Sequence, residues 1–204
     1  MMQPNSRIYL EQLLAEMIEQ PARQAEIARV IEDVFGQNKA VLVLDMSGFC
    51  RTARDHSIVM VLSMIYQMRE LLKPCVEAEG GQLIKAEADN LFCLFDTVGD
   101  ALGGCRQIQN SLMEVNRQMA EHCRLNVSMG IGYGRILNIE DKDIFGEEVN
   151  LASKLGEDIA GKGEILLTKN AFLQLQETES CVREETVEIS GFSLRYHIVQ
   201  GLLL

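Results

Sequence analysis

The stretch that most constrains this chain is Ala40–Thr52, AVLVLDMSGFCRT, where an apolar run ends at an acidic residue and a glycine-containing loop. Val41 to Leu44 is continuous, apolar and rich in β-branched residues, which predicts a buried central strand. Asp45 ends that strand, and the loop after it predicts free backbone N–H groups beside a carboxylate. The stretch therefore predicts a site for a metal ion that carries phosphates.

The length, composition and net charge of the chain limit the class of protein to which it can belong. A length of 204 residues with 47% hydrophobic content suits one full-sized domain plus a small appendage. A net charge of -11 argues against sequence-independent nucleic-acid binding, which needs a basic surface. The chain shows no secretory pattern and no run of the ~20 apolar residues that a membrane helix needs. The six cysteines lack metal-ligand spacing, which predicts reduced thiols in a cytoplasmic protein without a zinc site.

Hydrophobic periodicity predicts the order of the elements. Residues 7–35 are interpreted as two short amphipathic helices separated at Pro21. These helices either pack on the main domain as a cap, or they transmit a signal or stiffen a dimer. The further predicted elements are a strand at 41–44, a helix over 54–73, strands at 82–87 and 91–95, a helix over 98–121, a strand at 125–130, a helix over 146–159, a strand at 164–167 and a β-hairpin around Ser190-Gly191. We predict an N-terminal helical segment over 1–38 and a main domain over 39–204.

The core order is strand, helix, strand, strand, helix, strand, which is that of a ferredoxin-like βαββαβ α+β sheet with helices on one face. In this topology the first and third strands are neighbours, so Asp45 faces the hairpin tip at Asp89. Two converging carboxylates suit a pair of divalent cations, which leave coordination positions for substrate phosphates. Taken separately, Asp45 also suits a helix N-cap and Asp89 a turn.

Four motifs in order carry a resemblance to a known family. They are LDMSGF at Asp45, IKAEADN at Lys85 and Asp89, GIGYGRI at Arg135, and DIFGEEVNLASKL from Asp143 onward. Over Ala40 to Phe172 the chain resembles the catalytic domain of class III nucleotidyl cyclases, the adenylate and guanylate cyclases. The resemblance implies a lyase that forms a 3′,5′-cyclic nucleotide and pyrophosphate by in-line attack of the ribose 3′-hydroxyl.

The resemblance also implies a role for each matching residue. Asp45 and Asp89 would hold two Mg²⁺ or Mn²⁺ ions on the triphosphate, and the main chain of Met46 to Cys50 would cradle the phosphates. The other implied contacts are Ser47, Gly48 and Phe49 in that cradle, Arg135 on the triphosphate, Asn150 on the ribose, and Lys154 on the pentavalent transition state.

Lys85 and Asp143 match the pair that reads the purine in this family. Adenine presents N1 as an acceptor and its 6-amino group as a donor, so a lysine donor with an aspartate acceptor complements it, and the expected substrate is ATP. Each residue also has a purely structural interpretation. Lys85 could be a solvated lysine on a strand, and Asp143 could be the N-cap of the helix at Gly146.

The family divides these groups between two chains, with the metal aspartates and Arg135 on one chain and the other groups on its partner. This chain carries both sets, so the resemblance implies a head-to-tail homodimer with two equivalent sites. The three histidines, His56, His122 and His197, fall outside the motifs and are interpreted as incidental.

Several positions depart from the family pattern. Lys154 replaces an arginine, Ala88 replaces a common glycine, no lysine stands near Ser190, and the connection from Ile136 to Lys142 is short. A lysine holds a developing oxyanion less well than a planar guanidinium, which predicts a low turnover. The alternatives that stay open are a guanylate cyclase and a regulatory module that binds nucleotide without converting it.

Overall fold

The computed structural model describes residues 4–46, 57–119, 124–175, 181–189 and 192–200. The helices are α1 (Arg7–Glu19), α2 (Gln24–Phe35), α3 (Ile58–Ala78), α4 (Val98–Arg117), α5 (Glu147–Ser153) and the four-residue α6 (Lys169–Phe172). A 3₁₀ turn (Pro21–Arg23) joins α1 to α2, and a π-helical turn (Lys154–Ile159) continues α5. The strands are β1 (Gly36–Met46), β2 (Gln82–Glu87), β3 (Asn90–Phe95), β4 (Val127–Ile139), β5 (Asp143–Phe145), β6 (Ile165–Thr168), β7 (Cys181–Ile189) and β8 (Phe192–Gln200).

The strands form one mixed sheet in the order β2-β3-β1-β4-β6-β8-β7, with β5 paired to β4. β1 is antiparallel to both of its neighbours, β3 and β4. The predicted ferredoxin-like arrangement is confirmed in the order β2-β3-β1-β4, in which the first and third strands are central neighbours.

Alternate residues of β1 enter two different cores, as the period of a strand requires. Leu42 and Leu44 pack with α3 and α4 on one face. Val41 and Val43 pack with Val149 of α5 on the other face. The prediction that the helices lie on one face is therefore incomplete, because α5 covers the second face.

The glycines of β4 explain how α5 comes so close to the sheet. The predicted strand stopped at Gly130, but β4 runs through Gly132 and Gly134 to Ile139. A Cβ atom on Gly130 would lie 2.2 Å from the Ala152 carbonyl oxygen, and one on Gly132 would lie 2.6 Å from the Glu148 carbonyl oxygen. These glycines therefore serve close backbone packing within a strand and do not form a turn.

Three predicted helices differ from the observed ones, and the helix predicted over 98–121 ends at Arg117. α3 runs through Pro74 to Ala78, because Cys75 and Val76 beyond the proline are buried in the core and keep the last turn packed. The predicted helix over 146–159 is α-helical only to Ser153 and then widens into the π-helical turn, where Gly156 lies against Gly130 of β4.

The N-terminal helices α1 and α2 pack on each other and on the end of β4. Leu10, Leu13, Ile27, Ile31 and Phe35 form a buried cluster with Ile139. α2 ends at Phe35 and β1 begins at Gly36, so residues 36–38 belong to the sheet and not to the helical segment.

Within the described residues, Cys75, Cys93 and Cys105 are buried free thiols, as predicted for those three. None of the helices in the described ranges is long and apolar enough to cross a lipid bilayer. The hairpin turn at Ser190-Gly191 lies outside the described residues.

Candidate active site

The register of β1 brings the two predicted metal aspartates together. Asp45 is the direct partner of Asn90 on β3 and of Ser128 on β4. The backbone N–H of Met46 donates to the carbonyl oxygen of Asp89 at 3.3 Å. Asp45 and Asp89 thus lie at one end of the central strands, where the sequence predicted them.

The ionisation of Asp45 is opposed by its surroundings. Burial raises the pKa of its carboxyl to about 6, and the carboxylates of Asp89 and Glu157 add to the effect. A hydrogen bond from the Ser128 hydroxyl acts in the opposite direction. Burial, followed by Asp158 and Asp89, likewise raises the pKa of Glu157. Mutual repulsion of this kind favours a bound cation.

The donor set fits a hard divalent ion. Carboxylate oxygens are the ligands that Mg²⁺ and Mn²⁺ prefer, and Mg²⁺ commonly uses one or two carboxylates together with substrate phosphates. Across the described ranges, no group of three or more His, Cys, Asp or Glu side chains is arranged to hold a metal ion by itself. A divalent ion at Asp45 and Asp89 would therefore need further oxygen ligands besides these two carboxylates.

The predicted base-reading pair is also brought together. Lys85 of β2 donates to Asp143 Oδ1 at 3.0 Å although the residues are 58 positions apart. The backbone N–H of Ile144 donates to the same oxygen at 3.0 Å. Lys85 also contacts Glu87 at 2.9 Å and lies 4.8 Å from the centre of the Phe92 ring.

Both members of this pair are charged. Burial opposes the ionisation of Asp143, but hydrogen bonds from Lys85 and Arg7 outweigh it and hold the pKa of the carboxyl below its ordinary value. Burial likewise opposes the charge of Lys85, and the hydrogen bonds to Glu87 and Asp143 outweigh it and raise the pKa of the amine. The alternative for Asp143 is excluded, because Gly146 is the N-cap of α5.

Asn150 and Lys154 lie on and just after α5. Asn150 is exposed, and Lys154 begins the π-helical turn with its amine 2.5 Å from Asp158. The close approach of α5 to Gly130 and Gly132 fixes the height of both side chains above the sheet. The structure therefore places these two residues on the same face as Asp45.

A buried carboxylate holds α5 in position, and sequence reasoning missed it. Glu148 is 4% exposed and accepts hydrogen bonds from the Tyr133 N–H at 3.0 Å, the Thr168 hydroxyl at 2.7 Å and the Asn170 amide at 2.7 Å. The glycines at 132 and 134 were the sequence feature that could have indicated this close packing. A Cβ at either position would come within 3 Å of Glu148.

Within one chain Arg135 does not lie beside Asp45 in the β1–β4 ladder, and its contact with the triphosphate stays a prediction. Arg135 pairs with Asn38, whereas Asp45 pairs with Ser128. Seven strand positions separate Ser128 from Arg135, a distance of about 23 Å at about 3.3 Å per residue. Arg135 instead donates to the Glu32 carboxylate at 3.0 Å and to the Glu32 carbonyl oxygen at 2.8 Å.

Other predicted residues have different outcomes. Ser47, Gly48 and Phe49 of the phosphate loop lie outside the described residues, as do His56 and His122.

His197 is buried on β8 and stacks on Phe172 with ring centres 3.9 Å apart, and burial lowers its pKa. Its contacts are those of a packed core side chain.

Comparison with known proteins identifies the class to which this fold and site belong. The sequence model of the adenylate and guanylate cyclase catalytic domain matches residues 35–201. The chain therefore belongs to this family of nucleotidyl cyclases, and the resemblance drawn from the four motifs is confirmed.

Individual relatives agree with this assignment. The chain is 28% identical to the putative adenylate cyclase 3 of Rhizobium meliloti (strain 1021) over 130 residues, which is 63% of this chain and 22% of that protein. It thus spans about a fifth of the length of this curated relative. An adenylate/guanylate cyclase/hydrolase structure from Silicibacter pomeroyi is 27% identical, with a TM-score of 0.67 over 80% of this chain and 96% of the other. The guanylyl cyclase Cya2 is 19% identical, has a TM-score of 0.70 over 81% of this chain and 93% of the other, and supports the fold alone.

Proposed function

We propose that this chain is an adenylate cyclase catalytic domain that converts ATP to 3′,5′-cyclic AMP and pyrophosphate. The observation that carries the proposal is the Lys85–Asp143 pair, whose amine and carboxylate lie 3.0 Å apart. The Lys85 amine complements adenine N1, and the Asp143 carboxylate complements the 6-amino group. In guanine the same positions are an N–H donor and a carbonyl acceptor, so the pair would oppose both groups.

In the proposed reaction the ribose 3′-oxygen forms a bond to the α-phosphorus while the bond to the bridging β-phosphate oxygen breaks. The hydroxyl proton is released and pyrophosphate leaves. Asp45 and Asp89 would hold two divalent cations, Mg²⁺ or Mn²⁺, which stabilise charge on the attacking and leaving oxygens when bound. Asn150 would orient the ribose, and Lys154 would face the charge that develops on the α-phosphoryl oxygens.

The exposure of Asn150 supports an assembly of two copies. Its side chain is directed to solvent within one chain, as are parts of Lys85 and Lys154. In the proposed head-to-tail homodimer, Asp45 and Asp89 of one copy meet Lys85, Asp143, Asn150 and Lys154 of the other. Arg135 contacts Glu32 in the single chain, and its contact with the triphosphate stays a prediction. The buried reduced thiols suit the cytoplasm, which also supplies ATP.

The test is to incubate the purified chain with ATP or GTP and Mn²⁺ and to measure the cyclic products. We expect cyclic AMP in excess over cyclic GMP. A double variant, Lys85→Glu with Asp143→Cys, should move the preference toward GTP. The matched control is Lys39→Glu with Asp96→Cys, which removes an ion pair between β1 and the residue that follows β3 and should keep the preference for ATP.

Two outcomes would contradict the proposal. Cyclic GMP in excess over cyclic AMP would identify a guanylate cyclase. Nucleotide binding without any cyclic product, at concentrations where the chain is dimeric, would identify a regulatory module.

A further inference from the structure

The Lys85–Asp143 pair belongs to a longer row of charged groups. The Arg7 guanidinium of α1 donates from Nη2 to Asp143 Oδ2 at 2.7 Å, on the side of the carboxylate opposite to Lys85. Lys85 and the Ile144 N–H occupy Oδ1. The row therefore presents a donor, an acceptor and a second donor, and it joins residues that are 136 positions apart in the chain.

Arg7 is held at this place by the residues around it. Asn5 donates to the Asn138 carbonyl oxygen at 2.8 Å and accepts from the Glu140 N–H at 2.9 Å. Ser6 caps the first turn of α1 by accepting from the Tyr9 N–H. These contacts fix the start of α1 on the β4–β5 hairpin, directly beside Asp143.

The row keeps free hydrogen-bonding capacity for a ligand. A guanidinium has five N–H donors, and half of the Arg7 side chain is exposed. Lys85 has three donors and uses two of them on Glu87 and Asp143. Asp143 Oδ2 accepts from Arg7 and retains one further lone pair.

We propose that Arg7 is a third base-recognition residue, which donates to adenine N7 while Lys85 donates to N1 and Asp143 accepts from the 6-amino group. Along its edge adenine presents N1 as an acceptor, the 6-amino group as a donor and N7 as an acceptor. This order is the complement of the row from Lys85 through Asp143 to Arg7. The inference rests on the proposed function, because it concerns the base of the same nucleotide.

Guanine matches the row less well. It presents N7 and O6 as adjacent acceptors, followed by the N1–H and 2-amino donors. Arg7 could satisfy N7 and O6, and Asp143 could accept from N1–H. Lys85 would then face the 2-amino group, donor against donor. The full row is satisfied by adenine alone, so Arg7 adds to the preference for ATP.

The experiment compares ATP with 7-deaza-ATP, which lacks the N7 acceptor, in the wild type and in Arg7→Met. Methionine keeps an unbranched stem and removes every donor. In the wild type, kcat/KM for ATP should exceed that for 7-deaza-ATP by about tenfold, the value of a hydrogen bond to a charged group. In Arg7→Met the value for ATP should fall by that factor, and the value for 7-deaza-ATP should stay the same. Arg23→Met is the matched control, because Arg23 lies between α1 and α2 and pairs only with Glu16, Glu26 and Gln20 among the described contacts.

Several results would overturn the inference. Equal losses for both nucleotides in Arg7→Met would make Arg7 a structural residue. An equal rise in kcat/KM for both nucleotides would show that Arg7 keeps the base away from Asp143. A larger fall in kcat/KM for GTP than for ATP would assign Arg7 to the recognition of guanine. Calorimetric dissociation constants for both nucleotides test the same contact without turnover. Failure to form any cyclic product would count against the proposed function alone.

Discussion

The buried hydroxyl of Ser128 donates a hydrogen bond to the carboxylate of Asp45, and the two residues are direct partners across the β1–β4 ladder. Ser128 is 2% exposed, so this contact holds Asp45 against the sheet. The same position is unfavourable for a charge, because burial and the carboxylates of Asp89 and Glu157 raise the pKa of Asp45 to about 6. Asp45 is therefore held at a position where its negative charge destabilises the metal-free fold.

We predict that Asp45→Asn stabilises the metal-free protein at pH 8. Because the folded pKa of Asp45 is raised from 3.8 to about 6, its charge costs stability above pH 6, and this cost disappears as the pH falls toward 4. The gain at pH 8 should be roughly 1 to 3 kcal/mol after allowance for solvent screening. Urea unfolding in EDTA at pH 8 and at pH 4 measures it.

The same variant tests the metal site without an activity assay. Mn²⁺ should raise the melting temperature of the wild type, because it binds the folded state, and should have much less effect on Asp45→Asn. Asp141→Asn, in the β4–β5 turn, is a matched control and should respond to Mn²⁺ like the wild type. Equal stabilisation of Asp45→Asn and the wild type would remove Asp45 from the metal site.

Ala88→Gly should stabilise the protein. Ala88 lies in the two-residue turn between β2 and β3 with a φ of 52°, in the left-handed region that glycine tolerates best. Relief of that strain should add up to about 1 kcal/mol to the free energy of unfolding. Ala86→Gly on β2 is the control and should be destabilising by about 0.5 to 1 kcal/mol. A loss of stability in Ala88→Gly would show that the turn is not strained.

Gly130→Ala should destabilise the protein and displace α5. The added Cβ would lie 2.2 Å from the Ala152 carbonyl oxygen and 2.6 Å from the Gly156 nitrogen, and both are backbone atoms that cannot move independently. We expect a loss of about 2 kcal/mol or more in urea unfolding. Gly103→Ala in α4 meets only the flexible end of Glu79 and gains helix propensity, so it should be neutral or stabilising.

Lys154→Arg should raise kcat if Lys154 faces the transition state. A planar guanidinium holds phosphoryl oxygens with two parallel hydrogen bonds, whereas an ammonium acts as a point charge. An improvement of about 1 kcal/mol in the transition state corresponds to about fivefold in rate. Lys142→Arg in the β4–β5 turn, which is 76% exposed, is the control. An unchanged kcat in Lys154→Arg would place Lys154 outside the reacting groups.

The sequence predicted those parts of the site that follow from local pattern and topology. The apolar run before Asp45 and the turn at Asp89 were recognisable, and the strand order then required the two residues to meet. The Lys85–Asp143 pair followed from the family resemblance, and the structure brings these two side chains together. Each of these predictions depended on the order of the strands and helices along the chain, and none depended on how long each strand or helix is.

The parts that the sequence did not predict depend on how far a strand continues. Gly130 and Gly132 resemble the end of a strand, so the length of β4 beyond them was missed, and with it the distance from Ser128 to Arg135. The contact between Arg7 and Asp143 was missed for a different reason, since nothing local marks a contact between residues 136 positions apart.

The buried carboxylate of Glu148 makes three positions interdependent. Its oxygens satisfy donors from the backbone of Tyr133 and from the side chains of Thr168 and Asn170. An apolar residue at 148 would leave the buried Thr168 hydroxyl without this acceptor, at a cost of about 1 to 3 kcal/mol. The part-buried Tyr133 N–H and Asn170 amide would lose the same acceptor. We therefore expect residues 148, 168 and 170 to be replaced together among homologues, so that the contacts that join α5, β6 and α6 change as one unit.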